Sequence, residues 1–507
     1  MAMRLRRLGC IVVLVAMLAG CGGAPLAQVT PNVTPVNAPT TAAAASPPGP
    51  PTPTVVATPQ PATAPPATPV ATRVAPTVAT AEPPTEALPP PTPDAPLSQA
   101  LRRYEGNALL YTRPDRFLML RDADGRQLWL TADERFCGRE NSAYSQGGAW
   151  STDGRYVAIS CQDDGFDSKL LVELATVNIL DVETSKMRRV EAGSSEARGI
   201  RVDAGAALWA PHAPRLLIYT ERVIVTGTDS QYFYGWSVVD AATGAVKELI
   251  SFDAEGGSYP DAAWSPDGSQ MAVIGRRLGE QHSGVYLVNI DGSAARRLKL
   301  DDVASFYGFS GSLAWSPDGR SLLLNRQLNP SPDVYTFQAL LVDVKSGRAN
   351  VLADNPDTTP RAHWSPDGKW FLLSKYATGD RTIVAWSLYQ ADGTLIRSFS
   401  SDPARSVEDI VWLPDGKRLA FAVNRVNFGV EVVLADLGGV EQVVATRPWA
   451  FAHRIAVAPD SSLLALELDE PGRAQTDIVD RHGIILDLQG RTRSEFDGRI
   501  WGWRPQR

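Results

Sequence analysis

Histidines are the side chains of this sequence best suited to acid–base chemistry or metal binding, but their spacing matches no known motif. They lie far apart, without H-E-x-x-H and without a cysteine pair at zinc spacing: His212, His282, His363, His453 and His482. His363 and His453 stay candidate ligand contacts near a central channel, with a strand histidine bonded to backbone as the alternative. We predict no metal and no cofactor.

Three carboxylates, Asp163, Asp164 and Asp167, fall in a predicted loop, and such oxygen ligands suit Ca²⁺. Their spacing does not match D-x-D-x-D-G, so a solvated acidic loop is the first interpretation and the three stay candidate ligand contacts. A serine hydrolase would need a G-x-S-x-G turn, and Ser310 in Gly308-Phe309-Ser310-Gly311 lacks that spacing. We therefore predict no catalytic residue.

The elements that position these side chains come from a repeated Trp-Ser-Pro-Asp-Gly motif. Identical copies begin at Trp264, Trp315 and Trp364, and altered or shortened copies begin at Trp150, Trp209, Trp412 and Trp503. Each copy predicts an apolar strand that ends in Trp, followed by a turn in which Asp bonds its own backbone and Gly accepts positive φ. We interpret the turn residues as structural: Asp267, Gly268, Asp318, Gly319, Asp367, Gly368, Asp415 and Gly416. The tryptophans outside the motif are expected in the core, with a ligand role as the alternative: Trp236, Trp370, Trp386 and Trp449.

Four predicted strands per repeat of about fifty residues indicate the blade of an all-β propeller. Residues 107–112, 117–121 and 127–131 are predicted strands without a preceding Trp motif, whereas residues 499–503 form a first strand without successors. Together they would make one blade that closes the ring. This count predicts eight blades, with seven as the alternative. The early repeats are longest, which predicts insertions near residues 162–168 and 223–232.

The first 21 residues resemble a bacterial lipoprotein signal peptide. Arg4, Arg6 and Arg7 precede an apolar stretch too short to span a bilayer, and Leu18-Ala19-Gly20-Cys21 resembles the lipobox. The resemblance implies that Cys21 is lipidated and anchors the protein to the outer face of the bacterial cell membrane. An ordinary signal peptide that contains Cys21 is the alternative.

Residues 22–97 hold 22 of the 39 prolines and predict a disordered, extended linker, which leaves residues 98–507 as the folded domain. The net charge of −7 argues against nucleic acid as a partner. Cys137 and Cys161 flank the first Trp motif. They could pair in an oxidising compartment, and two buried thiols are the alternative.

The Trp-Ser-Pro-Asp-Gly copies resemble the repeats of the TolB-type β-propellers, a WD-repeat-like family of the bacterial envelope. The resemblance implies an extracytoplasmic propeller that binds other proteins, although a proline-rich stalk stands here in place of the family's N-terminal α/β domain. Similar blades form the non-catalytic gate of prolyl-oligopeptidase-type peptidases and the scaffold of some polysaccharide lyases. We predict a monomer that binds a protein, peptide or glycan without catalysis. A polysaccharide lyase or hydrolase, or a structural envelope component, are the alternatives.

Overall fold

Short strands joined by tight turns make up nearly all of the described chain in the computed structural model. The structure describes residues 101, 104, 106–114, 117–130, 150–167, 172–190, 200–201, 209–226, 229–253, 261–277, 283–300, 308–309, 313–331, 334–355, 361–376, 383–400, 405–425, 429–469 and 481–506. Within these ranges no helix has the length and hydropathy needed to cross a bilayer.

The strands follow the predicted repeat along the chain. In the first half they are β1 (Ala108–Thr112), β2 (Leu118–Asp122), β3 (Gln127–Trp129), β4 (Tyr156–Asp167), β5 (Val172–Asp181), β6 (Lys186–Val190), β7 (Ile200–Arg201), β8 (Arg215–Thr226), β9 (Asp229–Asp240), β10 (Val246–Asp253), β11 (Ala262–Trp264), β12 (Gln270–Gly275), β13 (Gly284–Asn289), β14 (Ala295–Arg297), β15 (Gly308–Phe309) and β16 (Ala314–Trp315). In the second half they are β17 (Ser321–Ser331), β18 (Val334–Asp343), β19 (Ala349–Asn355), β20 (Arg361–Trp364), β21 (Trp370–Tyr376), β22 (Ile383–Gln390), β23 (Leu395–Ser400), β24 (Arg405–Trp412), β25 (Arg418–Arg425), β26 (Gly429–Asp436), β27 (Glu441–Arg447), β28 (Phe451–Val457), β29 (Leu463–Asp469), β30 (His482–Asp487), β31 (Thr492–Asp497) and β32 (Arg499–Trp503).

Antiparallel pairing groups these strands into the eight blades of a β-propeller, as the repeat count predicted. The first blade is β32-β1-β2-β3, and β4 to β6, β7 to β10, β11 to β14, β15 to β19, β20 to β23, β24 to β27 and β28 to β31 form the other seven in chain order. In the second and third blades the motif tryptophan pairs with the following strand through a single isolated β-bridge. These bridges are Trp150 to Val157 and Trp209 to Leu216. The innermost strand of a blade thus leads into the motif turn.

The predicted closing blade is confirmed, because β32 pairs with β1 next to β2 and β3. Side chains reinforce this pairing: Trp501 Nε1 donates to Thr112 Oγ1 over 2.5 Å, and the buried Glu467 accepts from Ile500 N over 2.9 Å. The C-terminal strand therefore completes a blade that the N-terminal strands begin, which leaves no open edge between the first and last repeats.

The core consists of apolar layers between adjacent blades. Tyr219 and Trp236 of the third blade pack with Val273 and Tyr286 of the fourth in one cluster, and similar clusters join other neighbours. The fit is close, since a Cβ on Gly275 would lie 2.6 Å from the ring of Phe252 in the preceding blade. A chain of this length can bury its apolar side chains without one central core, because each blade packs only against its two neighbours.

Indole hydrogen bonds tie the inner strands of adjacent blades together. Trp315 Nε1 donates to the backbone oxygen of Ala263 over 3.1 Å, and Trp412 Nε1 donates to that of His363 over 3.0 Å. Trp503 repeats the contact with Ala456 O over 3.3 Å. Each acceptor directly precedes the Trp position of the previous blade. The tryptophan therefore both fills the apolar layer between two blades and fixes their register.

The Ser-Pro-Asp-Gly turns are closed by their own side chains. Ser265 Oγ is buried, accepts from Gln270 N over 3.0 Å and donates to Asp267 Oδ1 over 2.6 Å. This Ser265 hydrogen bond lowers the pKa of Asp267, and Gly268 adopts a φ of 68°. The same bonds recur in the turns that start at Ser316 and Ser365. The motif carboxylates thus act as turn residues.

In the described parts of the long early repeats, the extra residues belong to strands. Residues 162–167 continue β4, where Gln162, Phe166 and Asp167 pair with β5 on either side of an irregularity at residues 163–165. Residues 223–226 and 229–232 likewise continue β8 and β9 as a long hairpin. The extra residues lengthen strands, because backbone pairing satisfies their polar groups without requiring apolar side chains.

Replacing Trp412 by Phe should destabilise the propeller, because the carbonyl of His363 loses its indole donor at a cost of about 1 kcal/mol. Trp364→Phe is the matched control, since Trp364 Nε1 is buried without a hydrogen-bond partner among the described residues. Urea unfolding monitored by circular dichroism should give a lower midpoint for Trp412→Phe than for Trp364→Phe. Equal midpoints would show that the indole bond contributes nothing.

Candidate functional site

The antiparallel blades give the propeller two different faces. One face carries the motif turns at residues 152–154, 266–268, 317–319, 366–368 and 414–416, and we call it the turn face. The inner strands β20, β24 and β28 run toward that face and begin on the opposite one, which we call the connection face. Side chains on the connection face belong to the less repetitive parts of the sequence, where recognition residues are usually found.

A cavity of about 480 Å³ opens on the turn face between the fourth and fifth blades. Asp267 and Asp318 line it together with His212 and Arg296. Both carboxylates accept hydrogen bonds of 2.6 Å from the serines of their own turns, Ser265 and Ser316. Because these groups already stabilise the turns, the connection face is the better candidate for a binding site.

Two partly buried carboxylates, Asp409 in β24 and Asp261 directly before β11, connect neighbouring blades. Asp409 accepts from its neighbour Ile410 N over 3.0 Å and, across the blade boundary, from Ile455 N over 3.1 Å. Asp261 does the same with Ala262 N and Leu313 N, both at 2.8 Å. Both aspartates stand three residues before a motif tryptophan. Sequence reasoning missed them, although this shared spacing could have revealed them.

Asp409 lies near two positively charged side chains. Burial raises its pKa, and the positive charges of Arg454 and Arg361 oppose that shift. Arg454 also donates from Nη1 to Ile500 O over 3.0 Å, which links β28 to the closing strand β32. The Asp409 carboxylate and the Arg454 guanidinium thus both bond the backbone of inner strands. This arrangement suits a structural role better than proton transfer.

His363 lies on β20 with its Nε2 buried and without a hydrogen-bond partner among the described residues. Burial lowers its pKa to about 4, helped by the charge of Arg361. The ring is therefore neutral near pH 7. This histidine packs inside the propeller, and its contribution to the blade contacts is the backbone oxygen that accepts from Trp412.

His453 lies on the connection face and forms a polar pair there. Its Nε2 is 2.5 Å from Asp469 Oδ2, and the two side chains remain 24% and 30% exposed. Phe451, at the start of the same strand, contacts the imidazole with ring centroids 5.3 Å apart. Among the predicted candidates whose side chains the structure describes, His453 is thus the one that lies at the surface beside other functional groups.

Trp449 departs from the expectation that it belongs to the core, because 70% of it is exposed. Trp236 and Trp386 are buried as expected, and Trp370 is partly buried. Trp449 follows Pro448 in the connection between β27 and β28, directly before the strand that carries Phe451 and His453. Sequence hydrophobicity alone could not separate this exposed indole from the buried ones.

The acidic residues and the cysteines among the predicted site residues are described only in part or not at all. Asp163, Asp164 and Asp167 belong to β4 in the second blade, so the acidic-loop prediction was wrong about the element that carries them. No group of three or more His, Cys, Asp or Glu side chains that could hold a metal occurs in the described ranges. Cys21 and Cys137 lie outside the described residues, as does the side chain of Cys161, so the lipidation and the disulfide stay predictions.

Comparisons with known proteins place the chain by fold rather than by family. No protein-family model matches it. The uncharacterized peptidase YuxL of Bacillus subtilis is 31% identical over an alignment that covers 24% of this chain and 24% of that protein. The chain thus spans about a quarter of the length of the curated relative it matches.

Solved structures match the chain at low sequence identity. Dihydro-heme d1 dehydrogenase NirN is 15% identical, with 82% of this chain and 77% of that chain covered and a TM-score of 0.50. TolB from Acinetobacter baumannii is 16% identical, with coverages of 69% and 83% and a TM-score of 0.31. The periplasmic gluconolactonase of Pseudomonas aeruginosa is 14% identical, with coverages of 65% and 92% and a TM-score of 0.39. The NirN similarity concerns the fold alone, and the two lower scores support no conclusion about this chain.

The buried imidazole of His363 should make the stability of the propeller depend on pH. Its pKa is lowered from 6.5 to about 4, so the unfolded chain takes up a proton that the folded chain does not. Stability should therefore fall as the pH drops from 6.5 toward 4, by at most about 3 kcal/mol. His363→Leu and His363→Asn should both flatten this part of the profile, measured by urea unfolding. An unchanged slope in both variants would contradict the assignment.

Proposed function

We propose that this protein is a lipid-anchored binding protein of the bacterial cell surface. Cys21 carries the lipid, residues 22–97 form a stalk, and residues 98–507 form a propeller that binds a protein, peptide or glycan without catalysis. The observation that carries the proposal is the group of exposed aromatic and polar side chains on the connection face, Trp449, Phe451 and the His453–Asp469 pair.

The rigidity of the inner strands supports a binding role. Asp409 and Arg454 hold β28 against the strands on either side, and the paired strands β1 and β32 close the ring. A surface fixed in this way loses little conformational entropy when a ligand binds. A stalk of this composition would extend about 3 Å per residue, so it could hold the propeller on the order of 200 Å from the lipid.

A hydrolase is the second candidate, and the match to a Bacillus subtilis peptidase is the observation that favours it. That match covers about a quarter of each chain, and the sequence contains no G-x-S-x-G nucleophile motif. Propeller blades also occur beside catalytic domains in the peptidases that the repeats resemble. The match is therefore compatible with a non-catalytic blade as well as with an enzyme.

The binding role is tested by asking whether the immobilised protein retains an envelope component without cleaving it. The full chain carrying Cys21→Ser, secreted without lipid, would be immobilised and incubated with separated cell-wall glycan and envelope-protein fractions. We expect one fraction to be retained and recovered unchanged in size. Retention of neither fraction would contradict the binding role, and recovery of shortened glycan or peptide would support the hydrolase.

The lipid anchor gives a prediction that does not depend on the ligand. Cys21→Ser should abolish incorporation of labelled fatty acid and release the protein from the membrane fraction of expressing bacteria. Cys10→Ser is the matched control within the same N-terminal segment and should change neither. Membrane retention of the Cys21→Ser variant, with the label still incorporated, would contradict the lipoprotein assignment.

A further inference from the structure

Trp449 has a backbone conformation that its side chain disfavours. Its φ is 63°, in the left-handed region that non-glycine residues with large side chains rarely occupy. Among the described residues the other non-glycine positions with positive φ are two serines, Ser185 and Ser461. The indole is 70% exposed, so burial does not offset the strain. Fold stability alone therefore does not explain a tryptophan at this position, and such strain is a recognised mark of functional sites.

The backbone just before Trp449 packs closely against a glycine of the adjacent strand. A Cβ on Gly429, the first residue of β26, would lie 2.7 Å from Trp449 N and 2.8 Å from the Cα of Pro448, and would also meet the backbone oxygen of Arg447. The connection between β27 and β28 thus lies directly against a glycine backbone and bends sharply. The bend holds Trp449 at the connection face, ahead of the first residue of β28.

Phe451, His453 and Asp469 contact one another, and Phe451 stands two residues after Trp449. Phe451 is 45% exposed, and its ring contacts the imidazole of His453. Phe451 is also the register partner of Asp469 across β28 and β29, which places the His453–Asp469 pair beside the aromatic surface. We call Trp449, Phe451, His453 and Asp469 the aromatic platform.

Exposed rings next to an imidazole–carboxylate pair suit a ligand with a flat apolar face and hydroxyl groups at its edge. A pyranose whose hydroxyls are equatorial has this form: its C–H groups cover the ring face, and its hydroxyls point outward to donors and acceptors. The carboxylate of Asp469 and the net charge of −7 disfavour an acidic polymer. Recognition through a few rigid aromatic anchors and directional polar groups is general for ligand sites.

We propose that the aromatic platform binds a neutral β-linked oligosaccharide, with sugar rings stacked on Trp449 and Phe451. His453 and Asp469 hydrogen-bond to its hydroxyls. This inference rests on the proposed binding function and names the ligand class. It makes the blade junction between β27 and β28 the recognition site, rather than the turn face.

Titration with two neutral probes, cellohexaose and chitohexaose, tests the proposal. The protein is the full chain carrying Cys21→Ser, and the readouts are calorimetry and tryptophan fluorescence. At least one probe should bind the parent protein, and Trp449→Ala should weaken that binding by roughly tenfold or more. Val440→Ala, which removes another exposed apolar side chain, is the control and should leave the affinity unchanged.

Trp449→Gly separates binding from folding. Glycine accepts a φ of 63° without strain, so this variant should unfold at a higher urea concentration than Trp449→Ala and yet bind as weakly. Asp469→Asn should weaken binding less than the loss of the indole, because an amide still offers a donor and an acceptor.

Two results would overturn the proposal: neither probe binds the parent protein, or Trp449→Ala binds as tightly as the parent. If tetramethylammonium binds while neither sugar does, the rings and Asp469 hold a cation instead. Retention of an envelope fraction equally by the parent and by Trp449→Ala would reject the platform and leave the binding function intact. Retention by neither would reject the binding function itself.

Discussion

Each blade has two apolar faces and an inner strand whose second edge has almost no strand pairing in the described residues, and this constraint governs the whole propeller. Only neighbouring blades can bury the faces, and only side chains from those neighbours can reach the inner edge. Trp315 and Trp412 donate to backbone oxygens there, and Asp261 and Asp409 accept from backbone amides. Because every blade needs two neighbours, the ring must close, and the pairing of β1 with β32 closes it.

The same constraint separates the two faces of the molecule. On the turn face the repeated residues use their polar groups within their own turns, as Ser265 and Asp267 do. The connection face is free of this requirement, so its sequence varies from blade to blade. Trp449 and the His453–Asp469 pair occur there outside the motif, and we infer that binding is encoded by departures from the repeat.

The repeat predicted the fold well because its residues are those that make the contacts between blades. Strand β32 and the start of β3 fall where predicted, and β1 and β2 begin one residue later. The extension of β4 was not predictable, since its polar residues have the composition of a loop, whereas the Val-Ile-Val-Thr sequence at residues 223–226 has the strand propensity that could have revealed the extension of β8. Trp449 was expected in the core because hydrophobicity does not reveal that this residue lies in a tight connection packed against Gly429, with its indole exposed.

Closure of the ring by the C-terminal strand is the claim on which the rigid connection face depends. Native-state hydrogen exchange of the full chain tests it most directly, because exchange reports the opening free energy of each strand. If the ring is closed, the paired amides of β1 and β32 exchange as slowly as those of the inner strands of other blades, such as β24. Rapid exchange in β32, at the rate of a frayed terminus while β24 stays protected, would contradict the account.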